Sequence, residues 1–279
     1  MPRSPEADWA IALFERSVLK QAKFRQIDAL LEEPAGKTNL DIGADNGVIS
    51  YLLREQGGVW YSADLDERAV DSIRQLVGSN VYRLEGSTTP FSSQTFDQIV
   101  VVDYLEHIVD DDNFARELER ILKPGGTVII NVPHIKPRSI VNRLRHAVGL
   151  TDQWHGHLRP GYTLADLRRL LGAGFVVEAA ITYSRTFSEL IDIGLNGLFI
   201  RLRKQTGPAS RKGSVVTQSD IRKYRKQFFL LSALYPFLWI IARLDALLWF
   251  QPGYKLIVSA RRHSGASVLP RSVSARNLR

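Results

Sequence analysis

The sequence predicts an α/β fold: an open, doubly wound, mostly parallel seven-stranded sheet with a helical hydrophobic insertion before its last strand. Three observations lead there. Short apolar runs alternate with helical patterns from residue 39 to residue 182, as they do when parallel strands are joined by helical crossovers. The run Asn39–Ser50 carries a strand straight into two glycines, Gly43 and Gly47, and then into a helical pattern. This is how such a sheet turns tightly beneath a nucleotide-like ligand, because only glycine lets the backbone come so close. Finally, Tyr61–Asp66 ends a second strand in an acid, Asp64, about 20 residues beyond the glycine turn, the spacing at which a carboxylate takes ribose hydroxyls.

The elements follow in order. Residues 7–31 read as one helix on the stripe Ile11, Phe14, Val18, Ile27, Leu30 and Leu31, ended by Glu33-Pro34-Ala35-Gly36, so that residues 1–35 form an N-terminal helical segment. Strands fall near 39–42, 58–63, 81–84, 97–102 and 127–132, with helices near 47–56, 66–76 and 111–122. A helix near 163–172 and a strand near 175–182 complete a catalytic domain over 36–185. An amphipathic, basic and hydrophobic helical insertion occupies 186–252, a last strand returns at 253–262, and a Ser/Arg-rich tail, 263–279, reads as disordered.

The glycine turn is not a dinucleotide fingerprint, which needs a third glycine to seat a pyrophosphate. Asp45 stands inside it, where it repels phosphate and welcomes a cation. A nucleoside carrying positive charge and no phosphate suits it better.

The motifs, in order, are Asp41-Ile42-Gly43-Ala44-Asp45-Asn46-Gly47, the strand ending Ala63-Asp64-Leu65-Asp66, Val102-Asp103-Tyr104-Leu105-Glu106-His107, and Leu122-Lys123-Pro124-Gly125-Gly126 before a fifth strand. Together they resemble the class I S-adenosylmethionine-dependent methyltransferases of the small-molecule and lipid type, whose fold is Rossmann-like. The resemblance covers roughly 36–185 and implies S-adenosylmethionine as cofactor. It implies that Asp41, Gly43, Ala44 and Gly47 shape and wall the methionine pocket, that Asp64 holds the ribose and that Leu65 packs on the adenine. It further implies that Glu85 and Gly86 lie by the adenine amino group and that Asp103 stands near the transferred methyl.

Composition narrows the class. A chain of 279 residues can bury a full core, and with no cysteine it has neither disulfides nor thiolate metal sites, which fits a cytoplasmic protein. The N-terminus does not read as a signal peptide. Residues 201–226 hold nine Lys or Arg against the single acid Asp220, a local charge of +8 equal to that of the whole chain. The tail from Arg261 adds five arginines and no acid, so a slightly acidic body carries basic appendages, which argues against nucleic acid as the partner of the whole.

The insertion is the most distinctive stretch. Phe187, Leu190, Ile191, Leu195, Leu198, Phe199 and Leu202 form a helical stripe, and Phe228–Phe250 is almost wholly apolar, broken by Pro236, Arg243 and Asp245. Phe228–Ala242 falls short of the roughly 20 apolar residues a span needs. If Tyr254–Ala260 joins the sheet, both ends of the insertion also lie on one side of any membrane. The insertion then lies in the interface of an anionic membrane, peripherally attached, or packs on protein as a cap or dimer surface.

For the chemistry, methyl transfer to a hydroxyl needs a base, and histidine suits that near neutral pH. Trp154-His155-Gly156-His157-Leu158-Arg159-Pro160-Gly161-Tyr162 follows the fifth strand, on the edge where such sheets bind ligands. His157, with His155, Arg159 and Tyr162 beside it, reads as base or substrate contact, or else as a loop histidine capping the helix that Thr163 opens. His155-Gly156-His157 is not read as a metal pair, and no metal is expected. His107 and Glu106 read as parts of a structural turn, and Asp110-Asp111-Asp112 as an acidic helix start favourable to the macrodipole. The resulting expectation is methyl transfer to a small amphiphilic or lipid-linked acceptor at a membrane surface. Its rivals are a nicotinamide oxidoreductase and a non-catalytic, cofactor-binding assembly protein.

Overall fold

The computed structural model describes residues 5–44, 46–136, 139–203 and 218–264. Along the chain run α1 (Pro5–Glu15), α2 (Val18–Leu30), β1 (Thr38–Ile42), α3 (Val48–Arg54), β2 (Val59–Asp64), α4 (Glu67–Val77), β3 (Val81–Arg83) and β4 (Phe96–Val102). They are followed by α5 (Asp111–Ile121), β5 (Leu122–Pro133), α6 (Ile140–Ala147), α7 (Asp152–His155), α8 (Leu164–Leu171) and β6 (Phe175–Tyr183), then α9 (Thr186–Arg203), α10 (Gln218–Arg243) and β7 (Lys255–Arg262). The strands form one sheet in the order β3-β2-β1-β4-β5-β7-β6. It is parallel except for β7, which runs antiparallel between β5 and β6. The expected seven-stranded, doubly wound sheet is thus present.

Strand β4 shows how the core is built. Ile99 and Val101 point into a cluster with Phe114, Leu118 and Leu167 on one face, while Val100 and Val102 point into a second cluster with Ile27, Leu53 and Ile73 on the other. Period-two alternation with both faces covered explains why this strand is apolar at every position from Ile99 to Val102. The sheet's switch point lies between the carboxyl ends of β1 and β4, where crossovers diverge to opposite faces, the place at which such sheets bind ligands.

Two local results differ from the sequence reading. The single N-terminal helix is two helices, because Ser17 takes an extended conformation and its side chain caps α2 by accepting from the Lys20 amide. The short helices α6 and α7, absent from that reading, fill the connection after β5, each started by a side-chain cap from Ser139 and Thr151 respectively.

The insertion is helical. α9 leaves the sheet directly after β6, and its start is held from a distance: Asp245, only 8% exposed, accepts from the amides of Arg185, Phe187 and Ser188. A carboxylate on a helix N-terminus satisfies donors that otherwise lack partners. The acid that interrupts the apolar run is therefore a cap. α10 rests on the N-terminal helices, with Trp9 against Phe228 at 4.5 Å between ring centroids and Gln21 donating to the Tyr235 hydroxyl at 3.1 Å. Its other side carries Phe229, Leu230, Phe237, Ile240 and Ile241, all exposed. Among the described residues one helical stretch, Phe228–Leu248, is long and apolar enough to cross a membrane by length and composition. The pairing of β7 with β5 and β6 returns both ends of the insertion to the sheet. Much of the basic stretch and nearly all of the C-terminal tail lie outside the described residues.

Candidate active site

The crevice starts with the turn after β1. Gly43 has φ +81°, and a Cβ there would stand 2.3 Å from the Val102 carbonyl oxygen and 3.1 Å from the Tyr104 Cβ. Gly47 has φ +82°, and a Cβ there would stand 2.8 Å from the Ile73 Cα, so this glycine also sets the approach of α3 to α4. Ala44 is buried between them, whereas Asp45 lies outside the described residues.

Asp41 corrects an expectation. It stands at the end of β1 but is fully buried, and its carboxylate accepts from Ser50 at 2.6 Å and Ser62 at 2.7 Å, with Arg54 at 3.6 Å. Burial pushes its pKa up against the pull of Arg54. Rather than walling a pocket, it braces β1, β2 and α3 from beneath.

Asp64 is half-buried at the end of β2, where its Oδ1 accepts from the Asp66 amide at 3.1 Å, and Leu65 packs on the core beside it. Glu85 and Gly86 are exposed, with Glu85 bridged to Thr88 through the backbone. Tyr104 joins these parts: it is 2% exposed, packs on Phe114 and donates to the Gly86 carbonyl at 2.8 Å. Sequence reasoning passed over Tyr104. The only signal was its place between Asp103 and the Leu105-Glu106-His107 turn.

Asp103 ends β4 with φ +45°, a backbone state that non-glycine residues rarely adopt. It is ion-paired with Lys23 of α2, accepts from Asn131 at 2.9 Å and has Lys255 at 4.0 Å. Although burial works the other way, the ammonium groups of Lys23 and Lys255 hold its carboxyl well below the usual range. The N-terminal helix is thereby tied to the crevice edge.

Beyond it lies a histidine cluster. The rings of His155 and His157 stack with centroids 5.2 Å apart, and His107 meets His157 edge-on at 5.0 Å. His107 donates from Nδ1 to the Gly156 carbonyl at 3.0 Å, since a carbonyl can only accept, and Asp152 stands 4.0 Å from Nδ1 of His157. Glu106 is fully buried below, and neither carboxyl oxygen meets a hydrogen-bond partner among the described residues. Burial, with Asp103 nearby, pushes it up to about 8, so it is mostly protonated at neutral pH. Glu106, His107 and His157 each offer a ligand atom, all within 4.8 Å of one another, a spacing that could gather around a cation.

Tyr162 is the second correction. It is 3% exposed, its hydroxyl donates to Asp111 at 2.8 Å, and burial beside that carboxylate lifts it far above an ordinary phenol. Arg159 ion-pairs with the same Asp111 and donates to the carbonyls of Ile108 and Val109. These two residues knot the histidine loop to the start of α5. Of the residues expected to act in catalysis, His155 and His157 remain at the crevice edge and Tyr162 is an anchor.

Residues 40–130 match the family described as "Methyltransferase domain". The chain is 28% identical over 111 residues to the ubiquinone biosynthesis O-methyltransferase of Pseudomonas paraeruginosa, a match covering 38% of this chain and 48% of that one. It is 27% identical over 118 residues to the demethylmenaquinone methyltransferase of Tropheryma whipplei, covering 41% and 49%. The match thus spans about half the length of these curated relatives. In fold it is similar to an S-adenosylmethionine-dependent methyltransferase from Mesorhizobium loti, with TM-score 0.54 and 16% identity over 86% of this chain and 98% of that one. It is also similar to the (4+2)-cyclase SpnF, with TM-score 0.56 and 20% identity over 88% and 83%.

Proposed function

We propose, on the premise that this chain carries a class I S-adenosylmethionine-dependent methyltransferase domain, that it methylates a small amphiphilic or lipid-linked acceptor at a membrane surface. The observation that carries the first half is the crevice itself. A glycine-floored turn lies between two strand ends that present Asp64 and Asp103, all inside residues 40–130. Carboxylates at that edge suit a sulfonium nucleoside. The absence of a third glycine from the turn opposes a nicotinamide cofactor, whose pyrophosphate needs backbone donors there.

S-adenosylmethionine, when bound, supplies an electrophilic methyl on a cationic sulfur. Asp64 would hold the ribose, Leu65 and Tyr104 would flank the base, and Gly43 and Ala44 would floor the methionine. Holding the reactants in line supplies most of the acceleration in such a transfer. His157 would take the acceptor proton, with Asp152 on its Nδ1 side favouring the charged ring that results. Asp103, kept ionised by Lys23 and Lys255, would fix the position of α2 at the edge where the methyl is transferred.

The membrane half rests on the exposed apolar face of α10 and on the basic stretch before it. Relatives named for ubiquinone and menaquinone pathways support an acceptor of quinone type. The protein would then be cytoplasmic and peripheral. Incubation with methyl-labelled S-adenosylmethionine and fractionated cell membranes should place label in a solvent-extractable product. Label confined to the cofactor in every fraction overturns the catalytic reading. Vesicle flotation of Phe237→Glu/Ile240→Glu should leave the protein in the bottom fraction where the parent floats; equal flotation removes the membrane surface from the proposal.

A further inference from the structure

We propose that the cleft between α2 and the α9–α10 hairpin binds the phosphate-bearing head of a membrane amphiphile, whose chains then lie along the exposed face of α10. This cleft, open to solvent with a cavity volume of about 150 Å³, is separate from the glycine turn. Arg25, Arg185 and Arg243 line it, together with Trp239, Tyr183 and Asp245.

The charge in this cleft is one-sided. Among the described residues none of the three arginines forms an ion pair; Arg185 donates to the Gln251 carbonyl, and Arg243 lies over the Trp239 ring at 4.3 Å from its centroid. The one acid in the wall, Asp245, has its oxygens on three backbone amides at the start of α9 and offsets one arginine in charge without pairing with any. Three guanidinium groups against one carboxylate leave the concavity net positive and complementary to an oxyanion, and phosphate suits their planar forks best.

The neighbouring surface says what carries that oxyanion. Trp239 and Arg243 belong both to the cleft and to α10, whose residues Phe237 and Ile240 are 64% and 56% exposed, as is Leu247 at 68% in the short turn after it. A phosphate site that runs without interruption into an apolar face, with a tryptophan at the boundary, is the arrangement of a lipid head and its chains at an interface. Inorganic phosphate would use the arginines and leave the face unexplained. The cleft also borders the reacting edge, since Tyr183 donates to Asn131 at 2.6 Å and Asn131 donates to Asp103. A head held here brings an amphiphile to the mouth of the crevice. The inference rests on the membrane-facing reading of α10 and not on methyl transfer.

The test is titration of the full chain with dihexanoyl phosphatidic acid below its micellar concentration, read by tryptophan emission, with Trp239→Phe assigning the signal. Parallel arms use dihexanoyl phosphatidylcholine and inorganic phosphate. The parent should bind the acidic lipid at least tenfold more tightly than either. Arg25→Gln/Arg243→Gln, two substitutions on exposed side chains, should weaken that binding at least tenfold, while Arg68→Gln/Arg83→Gln on the opposite edge of the sheet should not. Equal binding by both double variants overturns the site. Inorganic phosphate binding as tightly as the lipid overturns the amphiphile, and phosphatidylcholine binding equally overturns the role of charge. S-adenosylmethionine calorimetry on the same variants should match the parent, so a failure of cofactor binding counts against the methyltransferase reading alone.

Discussion

The turn after β1 and the α9–α10 hairpin solve opposite problems at the same end of the sheet. In the turn the backbone path is set by close packing: a Cβ on Gly43 would meet Val102 and Tyr104, one on Gly47 would meet Ile73, and Asp41 is enclosed by Ser50, Ser62 and Arg54. In the hairpin only the inner side is committed, through Asp245 to α9 and Tyr235 to Gln21, while the outer side leaves large apolar groups in the open. A region set by backbone clearance tolerates almost no change. A region set by one packed face leaves the other available for a partner. On the proposed reading the first region takes the cofactor and the second faces the acceptor.

The comparison breaks first at Gly43. Gly43→Ala places a methyl 2.3 Å from a carbonyl oxygen at φ +81° and should cost about 3 kcal/mol or more in urea unfolding. An unchanged midpoint would mean that the turn is not the constrained element.

Next is Glu106. Its folded pKa of about 8 lies above the ordinary carboxylate value, so the folded state holds the proton more tightly. Its contribution to stability is full below about pH 4.5 and is lost as pH rises through about 8, with a slope of at most about 1.4 kcal/mol per pH unit. Glu106→Gln should flatten stability against pH across that window, and a parent that gains stability from pH 5 to 8 while the variant stays flat contradicts this sign.

His157→Gln should lower kcat by about a hundredfold and leave cofactor affinity unchanged, because it removes a proton acceptor and no cofactor contact. If kcat holds and the cofactor Kd rises, His157 belongs to the other region. Asp64→Ala should show the converse at smaller scale, raising the cofactor Kd about tenfold in calorimetry with little change in melting temperature, as for one lost charge-assisted hydrogen bond.

The two regions also differed in how readable they were. The glycines, the strand-end acid and the alternating strands are local patterns, and strand positions agreed with the structure to within a residue or two, except that β5 begins earlier, at Leu122. The acceptor side depends on partners far apart in the chain. Lys23 reaches Asp103 across 80 residues, Arg159 and Tyr162 reach Asp111 across 48 and 51, and no periodicity signals either. Tyr162 was read as a site residue because it follows His157 in the loop after the fifth strand; its burial against Asp111 is a tertiary fact. Asp245 looked like a flaw in an apolar run because the helix it caps starts some 60 residues earlier. The split at Ser17 was legible in principle, since serine is a favoured cap, but the apolar stripe ran on across it.

The placement of β7 has a consequence for how the chain is made. Among the described residues it is the last strand in sequence, yet it sits inside the sheet and is the sole hydrogen-bonded neighbour of β6. While the ribosome is still threading out α9 and α10, β5 offers a bare edge and β6 has nothing to join, just as the most apolar stretch of the chain emerges. A nascent molecule stalled in that interval is the form most exposed to misassociation and to chaperone capture. Arrival of Lys255–Arg262 closes the gap in a single step, making sheet closure a late event in biogenesis.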